Sequence, residues 1–332
     1  MGLVGVIAAI LAAVLVAAFL VVLYLLWVSF RIRRRAERLV PPPGRFVTVD
    51  GNRIHYFERG DGPPILMVHG LGGTQFHFAP LIAGLERDFR VVAVDRPGSG
   101  YSTRRGDKPG SPIEQAAFLT RFMDAVGLDR PLVVGHSLGG AVSLALALDH
   151  PDRVAGLVLI SPLTQHDARP VPPAFAPLNL RKPWLRRLIA ETVSAPNAMK
   201  LAPQTLDFVF GPQQPPADYA IAGGGMAALR PSHFYAASTD FVAIRNTMRR
   251  LQSRYGELAM PVGLAFGTAD RVIDAERQGR PLQGQIAGLD AVFLDGVGHM
   301  PQYSHAAEIV ALIRRVAAKA FAGGAAGGSA GG

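Results

Sequence analysis

Residues 131–148 read Pro-Leu-Val-Val-Gly-His-Ser-Leu-Gly-Gly-Ala-Val-Ser-Leu-Ala-Leu-Ala-Leu, and the five at their centre, Gly135-His136-Ser137-Leu138-Gly139, decide how the chain is read. Pro131-Leu132-Val133-Val134 is short, β-branched and apolar, as a buried parallel strand should be, and Ala141 to Leu148 is a good helix former. Ser137 therefore falls on a strand-to-helix turn, the arrangement of a nucleophile elbow. Such a turn forces strained angles on the serine and brings neighbouring chain close, and Gly135 and Gly139 supply the room that a Cβ would take. A Gly-rich turn with a capping serine would carry the same five residues.

The flanking sequence separates the two readings. Ile65-Leu66-Met67-Val68 is a second buried-strand run and ends in His69-Gly70-Leu71-Gly72-Gly73, a loop whose backbone N–H groups can face a developing oxyanion. Arg90 to Val94 is a third, ending in Asp95-Arg96-Pro97-Gly98-Ser99-Gly100-Tyr101-Ser102. Downstream, Val262 to Phe266 leads to Asp270, and Ala291 to Leu294 leads to Gly298-His299. In an open parallel sheet the carboxyl ends of the strands share one edge, so a serine, an acid and a histidine far apart in sequence can meet there.

With these pieces the chain resembles the α/β-hydrolase family over Phe46 to Phe321, through His69-Gly70, the Asp95 to Ser102 turn, the elbow, Asp270 and Gly298-His299. The resemblance implies a mostly parallel, doubly wound α/β sheet with a helical cap. It implies Ser137 as nucleophile, His299 as general base and Asp270 as the group orienting it, with the N–H groups of Leu71 and Leu138 as oxyanion donors. The chemistry asks for these types. A serine hydroxyl needs a base titrating near neutrality, which among ordinary side chains is imidazole, and the imidazolium needs a carboxylate on its far nitrogen. Preorganised backbone donors stabilise the oxyanion by about 3 kcal/mol each.

Rivals exist for each role. Asp274 and Asp295 are alternative acids, and Asp270 is preferred because it directly follows the strand. His55, His77, His150, His166, His233 and His305 lack the strand-then-Gly context of His299, whereas His69 and His136 read as wall and loop-shaping residues of the motifs. Arg96, Pro97 and Gly98 read as structural. No metal-ligand cluster or cofactor motif is present, and with zero cysteines the chain has neither disulfides nor a thiol nucleophile.

From Gly2 to Phe30 no residue is charged, and Arg31-Ile32-Arg33-Arg34-Arg35 follows at once. A bilayer core needs about 20 apolar residues, so residues 3–30 are expected to be a transmembrane anchor rather than a signal peptide, which would want a basic start and a shorter apolar core. The basic cluster predicts, by the positive-inside rule, a cytoplasmic catalytic domain. Residues 31–45, ending in Pro41-Pro42-Pro43-Gly44, read as a basic, stiff linker with little packing between anchor and domain, and residues 322–332 as a flexible Gly/Ala tail. The net charge of +9 fits an anionic membrane surface through Arg31 to Arg38, Arg181-Lys182 and Arg186-Arg187. No nucleic-acid module accompanies it.

Between the strand at Val154 to Ile160 and the one near Pro261 lies an insertion, about residues 163–258, too long for a loop. The resemblance makes it the cap. Trp184 to Ala190 and Phe241 to Leu251 read as helical and Gly223-Gly224-Gly225 as a hinge; Phe175, Leu178, Trp184, Leu185, Phe208, Phe210, Met226 and Phe234 would suit an acyl or alkyl group as a lining, although any single one of them reads first as part of the cap's own core. The layout is similar to membrane-anchored monoacylglycerol lipases, which implies a small-molecule ester or lipid substrate and no cofactor. Family members with the same triad also cleave amides, thioesters or carbon–carbon bonds, and a membrane-tethered binding protein without turnover is the reading from another class. A serine at the elbow, rather than aspartate, argues against epoxide hydrolase and haloalkane dehalogenase chemistry.

Overall fold

The computed structural model describes residues 2–168, 171 and 173–322; the expected tail falls almost wholly outside them. Eight strands form one sheet: β1 (Arg45–Val49), β2 (Asn52–Arg59), β3 (Pro64–Val68), β4 (Arg90–Val94), β5 (Leu132–His136), β6 (Gly156–Ile160), β7 (Val262–Gly267) and β8 (Asp290–Leu294). Their order is β1-β2-β4-β3-β5-β6-β7-β8, with antiparallel β1–β2 and β2–β4 ladders and every later pair parallel. The apolar runs read from the sequence are these parallel strands. β5, β6 and β7 are buried along their whole length, which is why they carry continuous rather than alternating hydrophobics.

The helices are α1 (Leu3–Leu39), α2 (Ala79–Leu85), α3 (Pro112–Ala125), α4 (Leu138–Asp149), α5 (Pro183–Thr192), α6 (Ser194–Phe210), α7 (Pro231–Ala243), α8 (Arg245–Gln252), α9 (Ala275–Gln278), α10 (Leu282–Gln285), α11 (Pro301–Ser304) and α12 (Ala306–Phe321). The two-residue pleat divides the core between the faces of the sheet. Leu66 and Val68 pack with Phe118 of α3 and Leu144 of α4, whereas Ile65 and Met67 pack with Leu81 of α2 and Leu312 of α12. Helices on both faces make the sheet doubly wound. The stretch between β6 and β7 carries α5 to α8.

One expectation changes. α1 is long and apolar enough to cross a membrane, and its apolar stretch is unburied. It does not stop at the basic cluster, however. Arg31 to Arg38 are good helix formers, so the helix runs on to Leu39 and ends where Pro41 begins. These last turns are no free spacer either. Ser29 Oγ donates to Thr192 O of α5 at 2.5 Å, Glu37 pairs with Arg230 at 3.1 Å, Ala36 and Val40 are buried, and Tyr101 donates its hydroxyl to Val40 O. The expected linker is thus mostly helix docked on the cap.

Candidate active site

Ser137 follows β5 and opens α4 with φ +56° and ψ −122°, angles that cost an L-residue on the order of 1–3 kcal/mol. The two flanking glycines explain how the turn closes. A Cβ on Gly139 would lie 2.0 Å from Val68 O, and one on Gly135 would lie 2.4 Å from Ser143 Oγ. Leu138 is the first residue of α4, so its N–H is one of the four that a helix leaves without an intrahelical partner. Leu71 lies in the loop after β3. Both border the same cavity as Ser137.

Asp270 and His299 come from the loops after the neighbouring strands β7 and β8, and the parallel direction puts those ends on the same edge of the sheet as the end of β5, across β6. His299 Nδ1 lies 2.7 Å from Asp270 Oδ2. The other carboxylate oxygen accepts from the N–H groups of Val272 at 2.8 Å and Ile273 at 2.9 Å, which fixes the carboxylate's orientation. With Nδ1 engaged, Nε2 is the nitrogen that remains for a reacting proton. The competing acids are occupied elsewhere. Asp274 caps α9 by accepting from Glu276 N at 2.9 Å, and Asp295 accepts from Thr268 Oγ1 at 3.1 Å.

The two motif histidines are structural groups. His69 Nδ1 donates to Gly70 O at 2.8 Å and its Nε2 accepts from Arg96 N at 3.0 Å; burial and the adjacent Arg96 hold its pKa well below the ordinary value. His136 donates from Nε2 to His299 O at 2.9 Å, and burial, then the nearby His299, keep it neutral as well. That bond pins the backbone that carries the His299 ring. Two polar groups on the cavity wall, His77 and Tyr219, share a 3.0 Å hydrogen bond that no local pattern announces. Loss of water, with help from His233, lowers His77 to about 4.

Ser137, His299 and Asp270 open on a cavity of about 1570 Å³ roofed by the cap. Phe175, Leu178 and Phe208 line it as expected, and Phe241 stacks on Phe175 at a centroid distance of 5.7 Å. The other expected lining residues lie elsewhere. Trp184 stands 63% exposed, Phe210 is buried against Tyr219 and Tyr303, and Met226 packs beside Val40 and Tyr101. Leu185 and Phe234 are half-buried away from the cavity. Gly224 takes φ +72°, and a Cβ there would lie 2.6 Å from the Phe76 ring, a packed turn rather than an open hinge.

Comparison with known proteins agrees with the fold. The family model described as alpha/beta hydrolase fold matches residues 63–306. A dihydrolipoyllysine-residue acetyltransferase component of the acetoin cleaving system of Cupriavidus necator is 40% identical over 126 residues, 37% of this chain and 33% of that protein. Haloalkane dehalogenase 2 of Mycobacterium tuberculosis is 39% identical over 122 residues, 37% of this chain and 43% of that one. The chain thus aligns with less than half the length of either relative. Among solved structures, a membrane phospholipase A described as a bacterial virulence factor superposes with a TM-score of 0.63 at 24% identity, covering 96% of this chain and 98% of that one.

Proposed function

The chain belongs to the α/β-hydrolase fold family, and from that premise we propose that it is a membrane-anchored serine hydrolase that cleaves lipophilic, monoacylglycerol-like carboxylic esters through an acyl-enzyme on Ser137. The observation that carries the reading is the 2.7 Å Asp270–His299 pair on the wall of the cavity that Ser137 enters. Ser137 Oγ attacks the ester carbonyl carbon while His299 Nε2 takes its proton, and the Leu71 and Leu138 N–H groups receive the negative oxygen. Collapse of that adduct expels the alcohol, which leaves with the proton from Nε2. Water then repeats the sequence on the acyl-enzyme, releasing the carboxylic acid and restoring Ser137.

Several features favour a greasy substrate. The cavity exceeds the roughly 300–1,000 Å³ of ordinary ligand pockets, and its cap side is aromatic and aliphatic. α1 would hold the domain at a bilayer, with the basic turns Arg31 to Arg38 on the cytoplasmic side. Similarity to the membrane phospholipase A extends over so much of the chain that it takes in this helix. Elbow chemistry argues against dehalogenation, since Ser137 stands where an aspartate nucleophile would be needed.

The test is covalent labelling of the full-length protein by a fluorophosphonate, beside turnover of p-nitrophenyl and glycerol esters of graded chain length. Labelling should be lost in Ser137→Ala, with kcat reduced by several orders of magnitude and an unchanged circular dichroism spectrum. Esterase turnover that survives in Ser137→Ala would remove the mechanism, and a preference for acetyl over long acyl esters would remove the substrate class.

A further inference from the structure

Behind the oxyanion loop lies a buried charge pair that reaches into the cap. The Gly70 carbonyl and the Leu71 N–H belong to one planar, trans peptide unit, so they point in opposite directions and cannot turn independently. Whatever grips the Gly70 oxygen therefore aims the Leu71 N–H. That oxygen accepts from Arg96 Nη2 at 2.8 Å, from His69 Nδ1 at 2.8 Å and from Gly73 N at 3.2 Å. Arg96 Nε also donates to His69 O at 2.9 Å, so one guanidinium spans two successive carbonyls. The loop held in this way touches the elbow: a Cβ on Gly70 would lie 2.8 Å from Ser137 Cβ.

The guanidinium is itself clamped from the far side. Nη1 donates to Gln115 Oε1 of α3 and to Asp240 Oδ2 of α7, each at 2.6 Å, and Asp240 Oδ1 accepts from Arg104 at 2.6 Å. Arg96 and Asp240 are both buried, with side chains 1% exposed. Only a planar fork of donors fills these places; a lysine ammonium cannot meet two carbonyls, an amide oxygen and a carboxylate spread around it. We infer that Arg96, clamped by Asp240 of the cap, is a positioning residue that aims the Leu71 N–H at the transition-state oxyanion. The inference rests on Ser137 being the nucleophile. Because Asp240 belongs to α7, cap and oxyanion site share one buried charge pair, and a shift of that helix is felt at the reacting carbonyl.

The experiment is Arg96→Lys in the full-length protein, with Asp240→Asn as the second variant. An oxyanion donor removed outright costs about 10²–10³ in rate, so a misaimed one should lower kcat for p-nitrophenyl butyrate by roughly 10- to 100-fold while KM stays within about twofold. Affinity for a trifluoromethyl ketone, which forms an oxyanion on the serine, should fall in step with kcat/KM, whereas inhibition by the product carboxylate should not move. Asp240→Asn should show the same pattern with a smaller loss, and it decides the matter if Arg96→Lys does not fold. Retained kcat in a folded variant overturns the inference. So does a loss in which KM and product affinity share equally, the mark of a mere strut. A wild-type protein that fluorophosphonate does not label would sink the proposed function; equal labelling of wild type and Arg96→Lys would sink only this inference.

Discussion

At the scale of residues, two carboxylates four positions apart have different tasks. Asp270 holds the imidazole, while Asp274 caps a short helix. Asp270→Asn should leave His299 in the wrong tautomer and lower kcat by roughly three to four orders of magnitude. Asp274→Asn should be nearly silent, because asparagine is an equally good cap. Ester turnover by the two variants reads this directly, and the reverse order would move the acid to Asp274. Buried histidines around the site also set a pH limit. His69, His77, His136 and His233 are held below the ordinary 6.5, in each case chiefly by burial, with His77 at about 4. Between pH 6.5 and those lowered values the folded chain binds fewer protons than the unfolded one. Stability present above pH 6.5 should therefore decline as pH falls through that window. Urea midpoints from about pH 7.5 to about pH 5 should drop, and less steeply in His77→Gln; a flat profile would contradict the assignment.

At the scale of elements, the end of the N-terminal helix is where structure and expectation diverge. Charge marks where a bilayer ends, but a helix ends where propensity and proline end it, and Arg31 to Arg38 satisfy the first criterion without meeting the second. A chain lacking residues 2–28 keeps Ser29, Ala36 and Glu37 on the cap, whereas one lacking residues 2–38 loses all three contacts. The longer deletion should be less stable by about 2 kcal/mol, a Tm lower by roughly 4–8 °C in scanning fluorimetry, and should lose activity even on short water-soluble esters as the cap loosens. Equal Tm values for the two truncations would show that α1 only tethers. The parallel strands were legible as short apolar runs, most of them leading into a motif, and the meeting of Asp270 and His299 followed from the shared edge of their strand ends; β1 and β2, polar and partly exposed, gave no such signal. The cap was not. The sequence does not show which apolar side chains of its helices face the cavity and which pack elsewhere, and Trp184 stands exposed while Phe210 packs on Tyr219 and Tyr303. Nor could any local pattern announce Asp240 against Arg96, since the contact joins positions 144 residues apart.

At the scale of the whole molecule, the large apolar side chains that stand exposed downstream of α1, among the described residues, are Trp184, Leu188, Met199, Leu201 and Ile221, all in the stretch between β6 and β7. Exposed Arg181, Lys182, Arg187 and Lys200 lie among them. Apolar groups mixed with cations suit the interface of an anionic bilayer. Their position suits it too: the Ser29–Thr192 bond ties the α5–α6 junction to α1 inside its uncharged stretch, only two residues before the first arginine. If Arg31 marks the headgroup level, that junction lies there as well. Leu201 of α6, which also borders the cavity, would then stand between the lipids and Ser137. A chain with zero cysteines makes the test simple. Spin labels on Leu188→Cys and Met199→Cys, in full-length protein reconstituted into anionic vesicles, should be relaxed more by oxygen than by a water-soluble nickel complex. A label on Asp152→Cys, just before β6 and so at the opposite edge of the sheet, should show the reverse. Water-like relaxation at both cap positions would lift the cap off the membrane, leaving substrate to reach Ser137 through the aqueous phase.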